Sequence, residues 1–264
     1  MRSASKRTSI LVDLDGTLTR GRTAEPGVAD ALATFGDAWV IVSNDAEHVP
    51  HQLARQLHAL GLHIPPERLV LAGAMAIKRI ACERPGAQIM LLGSPSLRRY
   101  ARSLGLDVAG ERPEIVVLAR DRSFSHARLA VAANALGSGA ELIVTNPDRT
   151  HPHADASIVP DTGALLAALL ACTGPIRYRM IGKPEPMLYL AALALLDVRA
   201  EDSIMIGDND ETDGLGAERL GIPYIHVRPG EVADVLRSLH TSDPQPNGYR
   251  RRHEAPCEKT WPGA

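Results

Sequence analysis

The sequence lacks most of the features that would commit it to a special environment. It has three cysteines in 264 residues, Cys82, Cys172 and Cys257, and their wide spacing makes neither a disulfide framework nor a zinc pattern. No apolar run approaches the ~20 residues needed to span a bilayer. The basic start, MRSASKRTS, is followed by no apolar signal region. Charge is nearly balanced, with a formal net of -2, so nucleic acid and anionic membranes have no electrostatic footing as partners. There is no P-loop, because Gly182-Lys183 lacks both the upstream glycine and a following Ser or Thr. GLGAERLG (214–221) does not have the dinucleotide spacing and opens no βαβ unit. No internal repeat is visible. The expectation is a cytoplasmic globular protein, long enough to bury a sizeable core without staples.

What is present is alternation. Apolar, β-rich runs (TSILV, AWVIVSN, RLVLAG) are separated by segments with helical spacing such as VPHQLARQLHALG. The middle repeats the rhythm, with strands expected in AQIMLLG, EIVVLAR and ELIVTN, and helices in SPSLRRYARSLG and SHARLAVAANALG. RYRMIG, SIMIGDND and PYIHV continue it toward the end. Strand–helix alternation predicts βαβ units and a mostly parallel sheet, an α/β fold whose doubly wound form is what the resemblance given below implies. The last stretch, 241–264, is polar, Pro-rich and without periodicity, and reads as a disordered tail.

The informative stretch is ILVDLDGTLTRG (10–21). Two carboxylates, Asp13 and Asp15, stand just past a buried-looking strand, where they would repel each other. In parallel α/β sheets ligands bind beyond the carboxyl ends of the strands. Ser43 and Asn44 follow another expected strand, Lys183 a third, and Asp208 a fourth. Carboxylates arriving from two strands suit Mg²⁺, which takes hard oxygen ligands and a substrate phosphate. A lysine and a hydroxyl suit phosphate oxygens. An aspartate can attack phosphorus, and a second carboxylate can act as general acid and base. Taken singly, each has a plain reading: a solvated turn for DxD, an acidic helix start for GDNDETD, a surface lysine for Lys183.

Together these residues resemble the haloacid dehalogenase superfamily. DLDGT matches its first motif, VSN its second, GKP its third and GDNDETD its fourth. TNPD (145–148) and GKPEP (182–186) are similar to the NagD-like phosphatase branch, which carries a large α/β cap. The resemblance implies a Rossmann-like core in 1–85 and 177–240 with a cap inserted over 86–176. It implies a Mg²⁺-dependent phosphatase of a small phosphorylated metabolite, acting through an aspartyl phosphate. Asp13 would be nucleophile and Asp15 acid/base. Ser43, Asn44 and Lys183 would bind phosphate. Asp13, the Asp15 carbonyl and Asp208 would hold the metal, with Asp213 behind them. Asp45, Asn146 and His151 would shape substrate choice, and caps of this branch pair into homodimers. Two departures stand out: Asp45 where the branch has asparagine, and Asp161 where it has glycine.

The remaining features carry plainer readings. HPHAD (151–155) offers His151, His153 and Asp155 to a metal, or His151 to the leaving group, against a solvated loop. His48 and His51 read as a solvated helix face, and RRR (250–252) as a solvated part of the tail. Dehalogenation is disfavoured by Asp15, which dehalogenases of the superfamily generally lack. A phosphoryl transferase, or a silent sensor of a phosphometabolite, remain as alternatives. The sensor would not need an acid/base residue beside a nucleophile.

Overall fold

The computed structural model describes residues 8–108, 112–151 and 157–241. In chain order the elements are β1 (Ser9–Val12), β2 (Thr19–Arg20), β3 (Thr23–Ala24), α1 (Val28–Ala33), β4 (Trp39–Ser43), α2 (Pro50–Ala59), β5 (Leu69–Leu71) and α3 (Ala72–Glu83). Then come β6 (Ile89–Leu92), α4 (Pro95–Ser103), β7 (Ile115–Leu118), α5 (His126–Gly137), β8 (Glu141–Val144), β9 (Thr150–His151), β10 (Val159–Pro160), α6 (Thr162–Thr173) and β11 (Tyr178–Met180). The chain closes with α7 (Met187–Leu196), β12 (Ser203–Gly207), α8 (Leu215–Arg219), β13 (Tyr224–His226) and α9 (Val232–Thr241). No described helix is long and apolar enough to cross a membrane.

The chain divides into two compact units. The first comprises 1–43, 54–70 and 189–264; the second comprises 44–53 and 71–188. The first unit holds a sheet in the order β13-β12-β1-β4-β5. Strand β1 lies at its centre, parallel to β12 and β4, and all four of its residues are buried. Burial on both faces explains why SILV reads as a continuous apolar run rather than an alternation. The register aligns Val12 with Ile206 and with Ile41. Asp13, Asp208 and Ser43 therefore emerge within two residues of those partners, at one edge of the sheet.

The second unit has its own parallel sheet, β11-β8-β7-β6. Its register aligns Leu92, Leu118, Val144 and Met180. Helices α5 and α6 cover it, burying Ala132, Leu166 and Leu169 against Val116, Leu118 and Leu142. Each of α4, α5 and α6 starts on a capping side chain: Ser94 receives Leu97 N–H, Ser125 receives Arg128 N–H, and Asp161 receives Thr162 N–H.

The second unit takes in 44–53 and 71–188, beside the cap expected over 86–176. The strand in RYRMIG, which opens the segment 177–240 assigned to the core by the resemblance, pairs with β8 in the second sheet. Of the expected tail, everything after Thr241 lies outside the described residues.

Candidate active site

In the first unit the loop after β1 is built for close approach. Gly16 adopts φ 96°, and a Cβ there would run into the Asp208 carboxylate. The glycine of DLDGT is thus required twice, by backbone conformation and by space. Thr17 Oγ1 donates to Asp208 Oδ1 at 3.4 Å, and Asp13 N–H donates to the Ile206 carbonyl at 2.9 Å. Asp13, Asp208 and Asp213 each offer a carboxylate oxygen, and the three oxygens lie within 4.8 Å of one another. Asp13 and Asp213 are buried. Three like charges so close, with little water around them, form a donor set that suits a hard divalent cation.

Asp213 enters this cluster because the chain after β12 winds into a π-helical turn over Asp210–Gly214. Asn209 caps the turn, its side chain accepting from the Glu211 and Thr212 N–H groups. Beneath it the buried Tyr189 hydroxyl bonds the carbonyls of Thr212 and Asp213, at 2.9 and 3.2 Å. Tyr189 was missed by sequence reasoning. It is the lone polar side chain in the helix MLYLAALALL, a signal that a hydroxyl is wanted in an apolar setting. Beside the turn, burial and the Asp213 charge push the Tyr224 phenol above its ordinary range.

The other sequence candidates of this unit hold separate positions. Asp15 accepts from Thr19 Oγ1 at 3.4 Å, and its carboxylate is not part of the three-carboxylate cluster. Ser43 is buried at the end of β4.

In the second unit the segment Asn44–Glu47 runs across the carboxyl ends of all four strands. The Glu47 carbonyl accepts from Ser94 Oγ at 2.5 Å, beyond β6, and the Ala46 carbonyl from Arg120 N–H at 3.3 Å, beyond β7. The Asn44 carbonyl accepts from Asn146 Nδ2 at 2.7 Å, beyond β8. The Asn44 side chain reaches Lys183, beyond β11: its Oδ1 accepts from Lys183 N–H at 2.7 Å, and its Nδ2 donates to the Lys183 carbonyl at 3.2 Å. Lys183 is buried, at 2% exposure.

Three residues expected at the phosphate or the substrate have partners within the chain. The Asn44 amide, expected on phosphate, is engaged with the Lys183 backbone. Asn146, expected at the substrate, is buried and bonded to Asn44. Asp45 accepts from the N–H groups of Glu47 and His48 and pairs with His48 Nδ1 at 2.7 Å. Burial opposes its charge, but the His48 imidazole and those amides outweigh it and hold the carboxyl below its ordinary value. Asp45 therefore closes a local turn, and helix α2 starts only at Pro50.

Asp161, the second departure, caps α6 and lies 3.8 Å from the guanidinium of buried Arg120, which also pairs with Glu47 at 3.3 Å. The aspartate thus answers a buried cation. His151 lies in β9, paired with Val159, and its side chain is outside the described residues, as are His153 and Asp155.

Two family models match the chain: haloacid dehalogenase-like hydrolase over residues 10–107 and a HAD-hydrolase-like model over 180–247. A dihydroxyacetone phosphatase from Corynebacterium glutamicum is 31% identical over 230 residues, covering 86% of this chain and 83% of the relative. An acid sugar phosphatase from Staphylococcus aureus is 30% identical over 252 residues, covering 94% and 96%. Among solved structures, NagD from E. coli K-12 is 26% identical with a TM-score of 0.76, covering 84% of this chain and 88% of that one. A glycerol phosphate phosphatase from Mycobacterium tuberculosis, in complex with magnesium, is 30% identical with a TM-score of 0.77, covering 86% and 71%.

Proposed function

The chain belongs to the haloacid dehalogenase-like hydrolases, in their NagD-like phosphatase branch, and from that premise we propose that it hydrolyses a small sugar or polyol phosphate with Mg²⁺. The observation that carries the reading is the convergence of Asp13, Asp208 and Asp213 at one sheet edge. The substrate class is supported by the relatives, named for dihydroxyacetone phosphate, acid sugar phosphates and glycerol phosphate.

Asp13 attacks phosphorus and forms an aspartyl phosphate as the alkoxide leaves. Asp15 gives that oxygen its proton, and then takes one from the water that opens the intermediate. Ser43 and Lys183 hold the phosphoryl oxygens, and the Lys183 charge offsets the negative charge that builds up during transfer. Asp13, the Asp15 carbonyl and Asp208 would hold Mg²⁺, with Asp213 behind them, and the ion would supply the positive charge that lets a phosphate dianion approach the carboxylates.

The test is a screen of dihydroxyacetone phosphate, glycerol phosphate, hexose phosphates, nucleoside monophosphates, phosphoglycolate and pyridoxal phosphate, with Mg²⁺ and with EDTA. Turnover should be highest among the sugar and polyol phosphates and absent in EDTA. Asp13→Asn should lose several orders of magnitude on every substrate. Near-normal turnover by Asp13→Asn, or full activity in excess EDTA, would sink the mechanism.

A further inference from the structure

We infer that Asn44 and Asn146 form a brace that positions Lys183, so that Asn44 acts on the reaction through the lysine rather than through the phosphate. The inference rests on the reading of Lys183 as the phosphoryl-binding cation. A lysine side chain is long and rotamer-rich, so its ammonium is placed only as well as its Cα is held. At Lys183 both backbone polar groups are held by one amide. Asn44 Oδ1 takes the N–H at 2.7 Å and Nδ2 gives to the carbonyl at 3.2 Å. A donor on one side and an acceptor on the other fix which way the amide points.

The brace is itself held. The Asn44 carbonyl takes a hydrogen bond from Asn146 Nδ2 at 2.7 Å, and Asn146 Oδ1 takes one from Asp148 N–H at 3.2 Å. Asn146 is 1% exposed, so water cannot easily replace those bonds. Strands β8 and β11 are neighbours in register, and Gly182 N–H donates to the Thr145 carbonyl at 2.8 Å. A Cβ at Gly182 would collide with Asn44 Oδ1 and with the Thr145 carbonyl. The glycine of GKP is therefore what lets the asparagine reach the lysine. Residues that orient a ligand-binding group without touching the ligand typically matter by ~10–100-fold.

The experiment is a double-mutant cycle on kcat/KM for 4-nitrophenyl phosphate. Asn44→Ala should lose ~10–100-fold in the wild-type background, and within ~2-fold of nothing in the Lys183→Ala background, because there is no ammonium left to misplace. Asn146→Ala should show the same pattern at smaller size. Inorganic phosphate should inhibit Asn44→Ala more weakly than wild type. If Asn44→Ala does not fold, Asn44→Asp keeps the size and the acceptor for Lys183 N–H while losing the donor, and should give the same disappearance of effect. Equal fold-losses in both backgrounds would overturn the brace and leave Lys183 in place. A Lys183→Ala enzyme as active as wild type would bring down the lysine's assignment, and the brace with it.

Discussion

The two units present the same architectural device, the carboxyl edge of a parallel sheet, and fill it with opposite chemistry. In the first unit the edge carries Asp13, Asp208 and Asp213, like charges whose oxygens lie within 4.8 Å. In the second it carries Ser94, Arg120, Asn146 and Gly182-Lys183, and the segment Asn44–Glu47 ties these together with neutral amides and backbone groups. Arg120 there lies between Glu47 and Asp161, and Asp45 beside His48. The acidic edge is held against its own repulsion and calls for a cation. The other edge is tied mainly by backbone and amide hydrogen bonds.

The comparison can be broken, and its largest expected effect is on turnover. Asp15 shares a loop with Asp13 but not its carboxylate cluster, so the two should fail differently. Asp15→Asn should cost ~10²–10⁴-fold for poor leaving groups and much less for nitrophenolate, which needs little protonation. A loss independent of leaving-group pKa across a series of aryl phosphates would place Asp15 in the same role as Asp13.

The next effect is on stability, and its sign is the point. In EDTA, Asp213→Asn removes one of three crowded charges while keeping the shape. It should raise stability by about 1 kcal/mol, well under the ~3 kcal/mol that a bare pair could contribute at this separation and an effective dielectric of ~20. It should also shrink the rise in Tm that Mg²⁺ produces without substrate. Thermal unfolding with and without Mg²⁺ checks both. A drop in Tm in EDTA would mean that the acidic edge is not held against its own repulsion.

The smallest effect is at Asp45, where the same change should act in the opposite direction. Asp45→Asn should lower stability by about 1 kcal/mol, since a charged acceptor becomes a neutral one. The native carboxyl sits below its ordinary value. Its contribution is therefore complete above about pH 4 and is lost as pH falls through the lowered native value. The Tm gap between wild type and Asp45→Asn should be steady near neutrality and close at acid pH. The ratio of kcat/KM for a sugar phosphate to that for phosphoglycolate should stay unchanged. A shifted ratio would make Asp45 an electrostatic filter on the substrate.

Much of this was legible in the chain. SILV, WVIVS and SIMIG are buried on both faces, and that leaves an apolar run that any reading detects. The polar residues that follow them mark the edge where a ligand goes, and motif spacing gave Asp13, Asp15, Lys183 and Asp208 as candidates. The strand Tyr178–Met180 is only three residues long and none of them is buried, so its pattern names no sheet. Its partner β8 chose for it. Tyr189 was hidden because a helix signal says nothing about what one hydroxyl will meet 23 residues later.

The sequence by itself determined the alternation of strand and helix, the glycines at 16 and 182, and the set of groups able to do phosphoryl chemistry. These are local matters of periodicity, of composition, and of which atoms can donate, accept or attack. Tertiary structure decided that Asp213 joins Asp13 and Asp208, and that Asn44 spends its amide on Lys183 rather than leaving it open. It also decided that Asp161 faces a buried arginine. A carboxylate or an amide has several possible partners along any chain. Only the register of parallel strands, which sets which loop ends meet, selects among them.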